Sequence, residues 1–520
     1  MRGIALVFAL SLPCTAVRAQ EPAAAAAPPQ QSEPKPEPQD SNAPLRRGLV
    51  QPLRRSSNSG QELMFSLGAF EAYDDDVLAD YGGTEFATVV TSPSRVGGDV
   101  VDPRFRTSGV YSGVSAGLLY AKWKQGKRGS FSLTGNGNGT YQGIRTNNRI
   151  LSQGAVGTAA ATTFHKWSLG SQASAGYSPF YQLALILPDK IREAADEGMS
   201  REVDFVLFTQ RAISTQAGGG ITRDFNNRTS FGLNYSIYRT DFLSGTAHQV
   251  GQMAAARVTH RLRKGLTARA GYTRSQSTAN INGRGKPVHL DAIDAGVDYG
   301  RALSFSRRTT LSFSTGTTIA ATTSLLDRSA YVFVLTGGAQ LTHEIGRTWV
   351  ATAGVRRGVD FAPGFGEPLL SNTASAGVGG FLQRRIRLTA YSYYSSGTVG
   401  LQSDAPTFGS VSGNARLTVT VTRRVDLFGE YFYDRYSFDG GVALPPGLAQ
   451  SFDRQGARAR ATARLTRTLG VYAEYLDYRY AFGAGADLPP GLPPSFTRQG
   501  ARAGLSLVVP LLGSGKGGTK

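Results

Sequence analysis

Hydrophobic and polar residues alternate one by one along most of this chain. From Leu417 to Thr422 the apolar residues fall on odd positions and the threonines on even positions. From Arg454 to Ala463 the arginines share one face and the alanines share the other. A period of two residues indicates a β-strand, because successive side chains point to opposite faces. Such strands fit a wall between water and an apolar phase.

The same pattern recurs from about residue 62 to residue 510 and predicts about 20 strands, within a range of about 18 to 22. The predicted strands cover residues 62–72, 110–124, 131–141, 150–163, 167–179, 206–223, 230–241, 250–262, 266–276, 290–303, 308–320, 328–344, 347–359, 372–384, 386–397, 409–422, 425–437, 453–465, 468–480 and 497–510. The last strands form a tandem of two copies of one hairpin unit. Its rising strands are Leu427–Tyr436 and Val471–Tyr480, and its returning strands are Ser451–Ala459 and Ser495–Ala503.

The connections between these strands alternate in length. One set is tight and covers residues 263–265, 344–347, 422–424 and 466–468, whereas the other set is long and covers residues 74–107, 180–204, 277–288, 360–371, 438–452 and 481–496. Short turns at one end and long loops at the other are typical of outer-membrane barrels. We therefore predict an all-β fold, a transmembrane up-and-down antiparallel β-barrel preceded by a disordered N-terminal tether.

The hydropathy of the chain agrees with strands rather than helices in a membrane. The mean hydropathy is −0.21, and no mature segment approaches the length of apolar sequence that a membrane-spanning helix needs. At the N-terminus, Arg2, the apolar run 4–12 and Val17–Ala19 form a secretory signal. Its Cys14 is the only cysteine of the chain. Because Pro13 precedes Cys14, a cleaved signal peptide is favoured over a lipoprotein anchor. Removal of the signal leaves no cysteine, so disulfides and thiolate metal sites are excluded from the mature chain.

These observations divide the chain into four parts. We expect a signal peptide over residues 1–19 and a Pro/Ala-rich disordered periplasmic segment over residues 20–60. The outer-membrane β-barrel is expected over residues 61–510, and a flexible tail over residues 511–520. The predicted location is the bacterial outer membrane.

The net charge indicates which partners to expect. It is +19, and removal of Arg2 and Arg18 with the signal leaves +17. An exported barrel with this excess is expected to meet outer-membrane lipid and the phosphates of lipopolysaccharide, and no nucleic acid. The last strand, over residues 502–509, matches a polar-x-Gly-x-x-apolar-x-apolar pattern, so the barrel-assembly machinery is a further expected partner.

With odd positions outward in the tandem, a charged set is expected to face water in the lumen. The candidates for solute selectivity are Arg416, Glu430, Arg454, Arg458, Arg460, Glu474, Arg498 and Arg502. They are either a charged constriction whose surplus of arginine favours anions, or an ion-paired wall that keeps a wide lumen hydrated. Tyrosines near strand ends are expected to form an aromatic girdle at the lipid headgroups. This set comprises Tyr391, Tyr393, Tyr394, Tyr431, Tyr433, Tyr436, Tyr478 and Tyr480.

No motif for catalysis or cofactor binding is present in the sequence. The five histidines are scattered, and neither a GxSxG motif nor a phosphate loop occurs. We therefore expect no enzyme activity, no cofactor and no metal site. The acidic run Asp74–Asp76 could bind a divalent cation, but adjacent strand residues alternate sides, which favours a solvated strand end.

Several stretches resemble outer-membrane β-barrel proteins associated with exopolysaccharide secretion in Gram-negative bacteria. They are the Tyr73–Asp76 end of the first strand, the tyrosine-rich strands near the C-terminus, and the repeated Leu-Pro-Pro-Gly-Leu loops at 444–448 and 488–492. This resemblance implies a conduit for a polysaccharide chain that works with periplasmic export components. Two alternatives remain open, a general or anion-selective porin and a structural or adhesive barrel.

Overall fold

The computed structural model describes thirteen segments of the chain. These are residues 59–75, 108–124, 129–143, 148–178, 212–243, 248–280, 287–303, 306–323, 329–361, 367–402, 405–439, 451–483 and 495–512. The predicted signal peptide, the tether up to residue 58, the tail after residue 512 and both Leu-Pro-Pro-Gly-Leu repeats lie outside the described residues.

The described residues form 20 strands, which confirms the predicted number and the all-β class. The strands are β1 (Ser59–Asp74), β2 (Gly109–Lys124), β3 (Gly129–Gly143), β4 (Asn148–Phe164), β5 (Trp167–Ser178), β6 (Ala212–Asp224), β7 (Thr229–Phe242), β8 (His248–Arg263), β9 (Leu266–Asn280), β10 (Pro287–Leu303), β11 (Ser306–Thr323), β12 (Ser329–Ile345), β13 (Trp349–Phe361), β14 (Pro368–Gln383), β15 (Ile386–Val399), β16 (Thr407–Thr420), β17 (Val425–Phe438), β18 (Ser451–Arg464), β19 (Leu469–Phe482) and β20 (Ser495–Leu512). Across these segments, no helix is long and apolar enough to cross a membrane.

Each strand pairs antiparallel with the next, and the ring is closed by β1 and β20. The closing ladder runs from Leu63↔Leu512 to Asp74↔Gly500. On its other side β1 pairs with β2 along its whole length, from Ser59↔Lys124 to Asp74↔Gly109. Closure removes the two edges that an open sheet would have, so the backbone N–H and C=O groups are paired within the sheet except where β12 and β13 separate beyond Gly337↔Arg357.

The connections separate into two ends as the sequence predicts. At one end all turns are short; β4 and β5 are joined by residues 165–166, and β8 and β9 by residues 264–265. Two-residue turns require backbone in the left-handed region, and accordingly φ is 51° at His165 and 81° at Gly265. The other end carries the long loops, including residues 75–108 between β1 and β2. The first strand begins and the last strand ends at the short-turn end, as an even number of strands requires.

The outer face of the barrel is apolar. Exposed aliphatic and aromatic side chains surround it, among them Leu67 on β1, Val156 on β4, Leu233 on β7, Phe333 on β12 and Leu427 on β17. A closed barrel with an exposed apolar band is stable only when lipid covers that band. The protein is therefore a multi-pass β-barrel of the bacterial outer membrane.

The predicted aromatic girdle is only partly correct. Tyr394 and Tyr431 are outward and about half exposed, at 48% and 49%. Tyr436, Tyr478 and Tyr480 instead point inward and are buried, with 2–6% of their surface exposed. They occupy even positions, and even positions of β17 and β19 face the inside of the barrel.

Candidate functional site

The inward face of six consecutive strands, β16 to β20 and β1, carries the predicted charged residues together with large aromatic side chains. We call this face the Arg–aromatic wall. Even positions on these strands are mostly buried, whereas odd positions are mostly exposed or half-buried. The wall consists of Arg416, Glu430, Arg454, Arg458, Arg460, Glu474, Arg498 and Arg502, together with Phe70, Asp74, Phe428, Phe432, Asp434, Tyr436, Tyr472, Tyr478 and Tyr480.

Glu474 is the centre of the largest charge cluster on this wall. Its side chain is completely buried, and three arginines from two neighbouring strands surround it. Arg502 Nη2 lies 2.7 Å from Glu474 Oε1, and Arg458 Nε lies 3.0 Å from the same oxygen. Arg460 Nη1 lies 3.4 Å from Oε2. One carboxylate on β19 is therefore shared by arginines of β18 and β20.

Two further buried ion pairs lie on the same wall. The guanidinium of Arg454 binds Asp434, with Nε donating to Oδ2 at 3.1 Å. Arg498 Nε donates to both carboxylate oxygens of Asp74, at 2.9 and 2.7 Å. The second pair joins residues 424 positions apart, because it crosses the closing seam between β20 and β1.

The remaining two candidates lie on β17 and β16. Glu430 is buried, and its Oε1 accepts a hydrogen bond from Asn414 Nδ2 at 3.3 Å. Arg416 is the register partner of Glu430 and lies with its guanidinium carbon 4.4 Å from the centre of the Phe428 ring. Arg460 stacks similarly on Tyr472, at 4.0 Å. The arginines are thus held by carboxylates at their ends and by aromatic faces along their sides.

The structure brings all eight candidates onto one inward wall, where they differ in burial. Arg454, Arg458, Arg498 and Arg502 expose only 5–8% of their surface, whereas Arg416 and Arg460 are half-buried. These four arginines are buried because large aromatic rings on the same face fill the space between them. Their role in selectivity stays a prediction.

Asp74 differs from the interpretation as a solvated strand end. It is 4% exposed and is the carboxylate that Arg498 binds across the seam. Asp75 stays at the surface, where its Oδ1 accepts a hydrogen bond from the backbone N–H of Gln499 at 2.7 Å. Among the described residues no group of side chains could hold a metal ion. The even position of Asp74 on β1 is the signal that could have placed it on the inner wall.

A second inward charge cluster lies on the opposite side of the ring, on β8 to β10. Arg269 Nε donates to Asp294 Oδ2 at 2.9 Å and its Nη1 binds Asp298. Arg257 lies 3.7 Å from Asp294. These four side chains are 10–27% exposed, so water reaches them more readily than the Arg–aromatic wall. These four residues were not among the predicted candidates, although the spacing of Asp294 and Asp298 places both on one face of a strand.

The inner face of β3, β5, β6 and β7, which lies between these clusters, carries many small polar residues. It carries Ser132, Thr134, Asn136 and Asn138 on β3, Ser168, Gln172 and Ser174 on β5, Ser214, Gln216 and Thr222 on β6, and Asn234 and Ser236 on β7. Hydroxyl and amide groups both donate and accept hydrogen bonds, and they carry no charge. Apart from Asp224 at the short-turn end of β6, the described inward positions of these four strands carry no charge, so this face is hydrophilic and nearly neutral.

At the long-loop end, part of the barrel bends over the lumen. Leu290 on β10 and Leu401, in the turn after β15, form one buried cluster with Val332, Val359, Phe361 and Leu370, which we call the mouth cluster. Leu290 and Val332 lie on the inner face of their strands. Residues five strands apart in the ring can meet there only if the upper ends of β13 to β15 turn inward. The mouth is therefore narrowed on this side.

Comparison with known proteins gives only remote likenesses. Neither a scan against models of protein families nor a search of curated proteins finds a match. Among solved structures, the chain is similar to a mutant of the ferric enterobactin receptor PfeA from Pseudomonas aeruginosa, with 10% identity, coverage of 87% of this chain and 81% of that chain, and a TM-score of 0.46.

Two other solved structures are similar at the same level. The siderophore receptor PirA from Pseudomonas aeruginosa has 8% identity, coverage of 88% and 81%, and a TM-score of 0.43. The FrpB iron transporter from Neisseria meningitidis has 10% identity, coverage of 88% and 82%, and a TM-score of 0.47. With TM-scores below 0.5, these likenesses carry no conclusion about what this chain transports or binds.

Proposed function

We propose that this outer-membrane barrel is a conduit through which a polysaccharide chain leaves the cell. The observation that carries the proposal is the nearly neutral polar face of β3, β5, β6 and β7. Serine, threonine, asparagine and glutamine side chains can exchange hydrogen bonds with sugar hydroxyls, and almost no fixed charge is present there to hold one part of the polymer. Barrels of 16–22 strands enclose a lumen wide enough for a channel or a plug, so 20 strands leave room for a polymer.

The charge clusters support this proposal over an anion-selective porin. A selective field requires charges that are exposed to the solute and are not neutralised nearby. Most arginines of the Arg–aromatic wall are buried against carboxylates, and the β8–β10 cluster pairs two arginines with two aspartates. The β8–β10 cluster is balanced, and the Arg–aromatic wall keeps a surplus of two positive charges, six arginines against four carboxylates, most of which lie buried away from a solute. Periplasmic export components and the barrel-assembly machinery are the partners that this function needs, and no catalytic group is part of it.

The proposal is tested by deleting the gene in its own host and measuring surface polysaccharide. We expect the surface polymer to be lost and periplasmic polymer to accumulate, and we expect the intact gene to restore export. A deletion strain with normal surface polysaccharide would rule out the conduit. Planar-bilayer recordings on the purified barrel distinguish the conduit from the anion-selective porin, because a clear preference for anions over cations would favour the porin.

The mouth cluster predicts a measurable effect on the lumen. Leu401→Asp places a charge in a contact that buries apolar surface, and burying a leucine is worth about 1.5–3 kcal/mol. We expect the upper ends of β13 to β15 to lose this contact and the single-channel conductance to rise. Leu465→Asp, at an exposed residue of a short turn, is the control and should leave conductance unchanged. Equal conductance of both variants would show that the mouth cluster does not restrict the lumen.

A further inference from the structure

The barrel wall has a fork between β12 and β13. These strands pair from Ile345↔Trp349 at the short-turn end only as far as Gly337↔Arg357. Beyond that point, over the residues that the structure describes, β12 continues in its ladder with β11, and β13 continues in its ladder with β14. The upper part of β13 turns towards the mouth cluster while β12 stays in the wall. The two strands therefore diverge in the half of the barrel that lies towards the long loops.

Gly337 stands at the apex of this fork. Its φ is 148°, in a region that residues with a side chain rarely adopt. A Cβ atom there would also collide with the carbonyl oxygen of Ser314 on β11. The fork is thus a defined feature of the backbone, since only glycine fits at its apex.

The fork opens a groove of about 610 Å³ in the wall. Its outer side is lined by Phe313, Leu335, Val355, Ala374 and Tyr394. Just beside it Phe333 is 65% exposed, and Leu335 itself is 63% exposed, so this is among the most exposed apolar surface of the barrel. A groove with these walls fits a hydrocarbon chain, which is the material that surrounds the outer face.

Arg357 supplies the positive charge on the outer side of this groove, and its neighbour Arg356 lines the inner side. Arg357 is exposed on the outer face of β13, and the amide of Asn372 lines the same groove. Arginine on the lipid-facing side of a barrel is destabilising unless its charge is met. Within the described part of the chain, no carboxylate forms an ion pair with Arg357.

Among the described residues, the other outward-facing arginines near the long-loop end have such a carboxylate. These ion pairs are Arg239–Asp241 at 2.8 Å, Arg274–Asp291 at 3.8 Å, Arg435–Asp453 at 3.4 Å and Arg479–Asp477 at 3.7 Å. Arg357 lies at a similar distance from the end of its strand as Arg435 does. The contrast indicates that the anion for Arg357 comes from outside the chain.

We propose that the β12–β13 groove binds a phosphorylated glycolipid of the outer leaflet, with a lipid A phosphate on Arg357 and an acyl chain along Leu335 and Val355. The long loops of such barrels face the outside, so the upper half of the wall lies in the outer leaflet. Guanidinium groups bind phosphate with two parallel hydrogen bonds, which makes arginine suited to this headgroup. The expected ligand therefore joins a phosphate to an acyl chain. Because the groove lies in the outer leaflet, we assign this ligand to lipid A.

Titration of the purified full chain in detergent, followed by native mass spectrometry, tests this site. The probes are lipid A, lipid A without its phosphates, and phosphatidylglycerol. We expect one tightly held lipid A per barrel, and at least tenfold weaker binding of the other two probes. Arg357→Ala should weaken lipid A binding at least tenfold, whereas the control Arg435→Ala should leave it unchanged.

A second variant tests the groove without removing the charge. Ala374→Phe fills the space for the acyl chain and should also weaken lipid A binding, although Arg357 is intact. Heat-modifiable migration in gels verifies that each variant forms the barrel. The proposal is overturned if Arg357→Ala binds lipid A as the wild type does, or if it weakens binding no more than Arg435→Ala. Phosphatidylglycerol bound as tightly as lipid A would overturn the outer-leaflet assignment.

Discussion

Replacing Glu474 with glutamine is expected to destabilise the folded barrel by about 3–5 kcal/mol, the usual cost of removing one partner from a buried ion pair. Three guanidinium groups, those of Arg458, Arg460 and Arg502, approach this carboxylate within 3.4 Å. Glutamine keeps the size and one acceptor oxygen but removes the negative charge. The three positive charges would then repel one another in a site that water does not screen. Urea unfolding in detergent measures the change in the free energy of unfolding.

Two further variants separate this explanation from a general loss of packing. In Glu474→Gln combined with Arg460→Gln, one of the uncompensated charges is removed, so part of the lost stability should return. Glu344→Gln, at an exposed residue of β12, should change the free energy of unfolding by no more than about 0.5 kcal/mol. An unfolding midpoint of Glu474→Gln equal to that of the wild type would contradict the shared-carboxylate arrangement.

The second large effect is expected at the closing seam. Asp74→Asn should also cost about 3–5 kcal/mol, because it leaves Arg498 buried at 5% exposure without its carboxylate. The lost stabilisation lies at the pairing of β1 with β20. This pairing joins the two ends of the sheet and therefore forms last when the chain closes into a ring. We therefore expect less heat-modifiable, closed barrel after refolding into detergent micelles, in addition to a lower unfolding midpoint.

Two controls test separately the hydrogen-bond geometry of the buried ion pair and its burial. Arg498→Lys keeps the charge but cannot donate in the fork geometry of a guanidinium, so its loss should be smaller than that of Asp74→Asn. Asp291→Asn disrupts an exposed pair with a 3.8 Å separation from Arg274, and should cost about 1 kcal/mol or less. If Asp74→Asn and Asp291→Asn were equally mild, the buried pair would not be what holds the seam.

Glu474 and Asp74 lie on one side of the barrel, and the inner packing of that side differs from the packing across the lumen. From β16 through β20 to β1 the inner face is locked by ion pairs and rings, which suits the part of the wall that contains the closing seam. Across the lumen, β12 and β13 pair over only nine residues of each strand, and the adjoining strand ends lean over the mouth. The β20–β1 seam and the β12–β13 fork lie well apart on the ring. A substitution in the mouth cluster therefore need not disturb the pairing of β20 with β1.

The sequence by itself determined the strands, their approximate bounds and their faces. Alternation is local, since it requires only that neighbouring side chains point to opposite sides, and the turns are marked by short polar runs with residues such as Gly265. The even positions of β17 to β20 could therefore be assigned to the inside before any coordinates. Their charges were apparent as well, including the eight candidates that lie together on the Arg–aromatic wall.

Only the tertiary structure decided what those inward residues touch. Burial of Arg458 and Tyr480 depends on the register between strands and on the rings of neighbouring strands, which no single strand encodes. The bond from Arg498 to Asp74 depends on closure of the ring, because it joins the first strand to the last. The fork at Gly337 depends on how the upper strand ends pack over the lumen. Period two fixes the direction of a side chain, but the distance to its partners is set by the curvature and closure of the whole sheet.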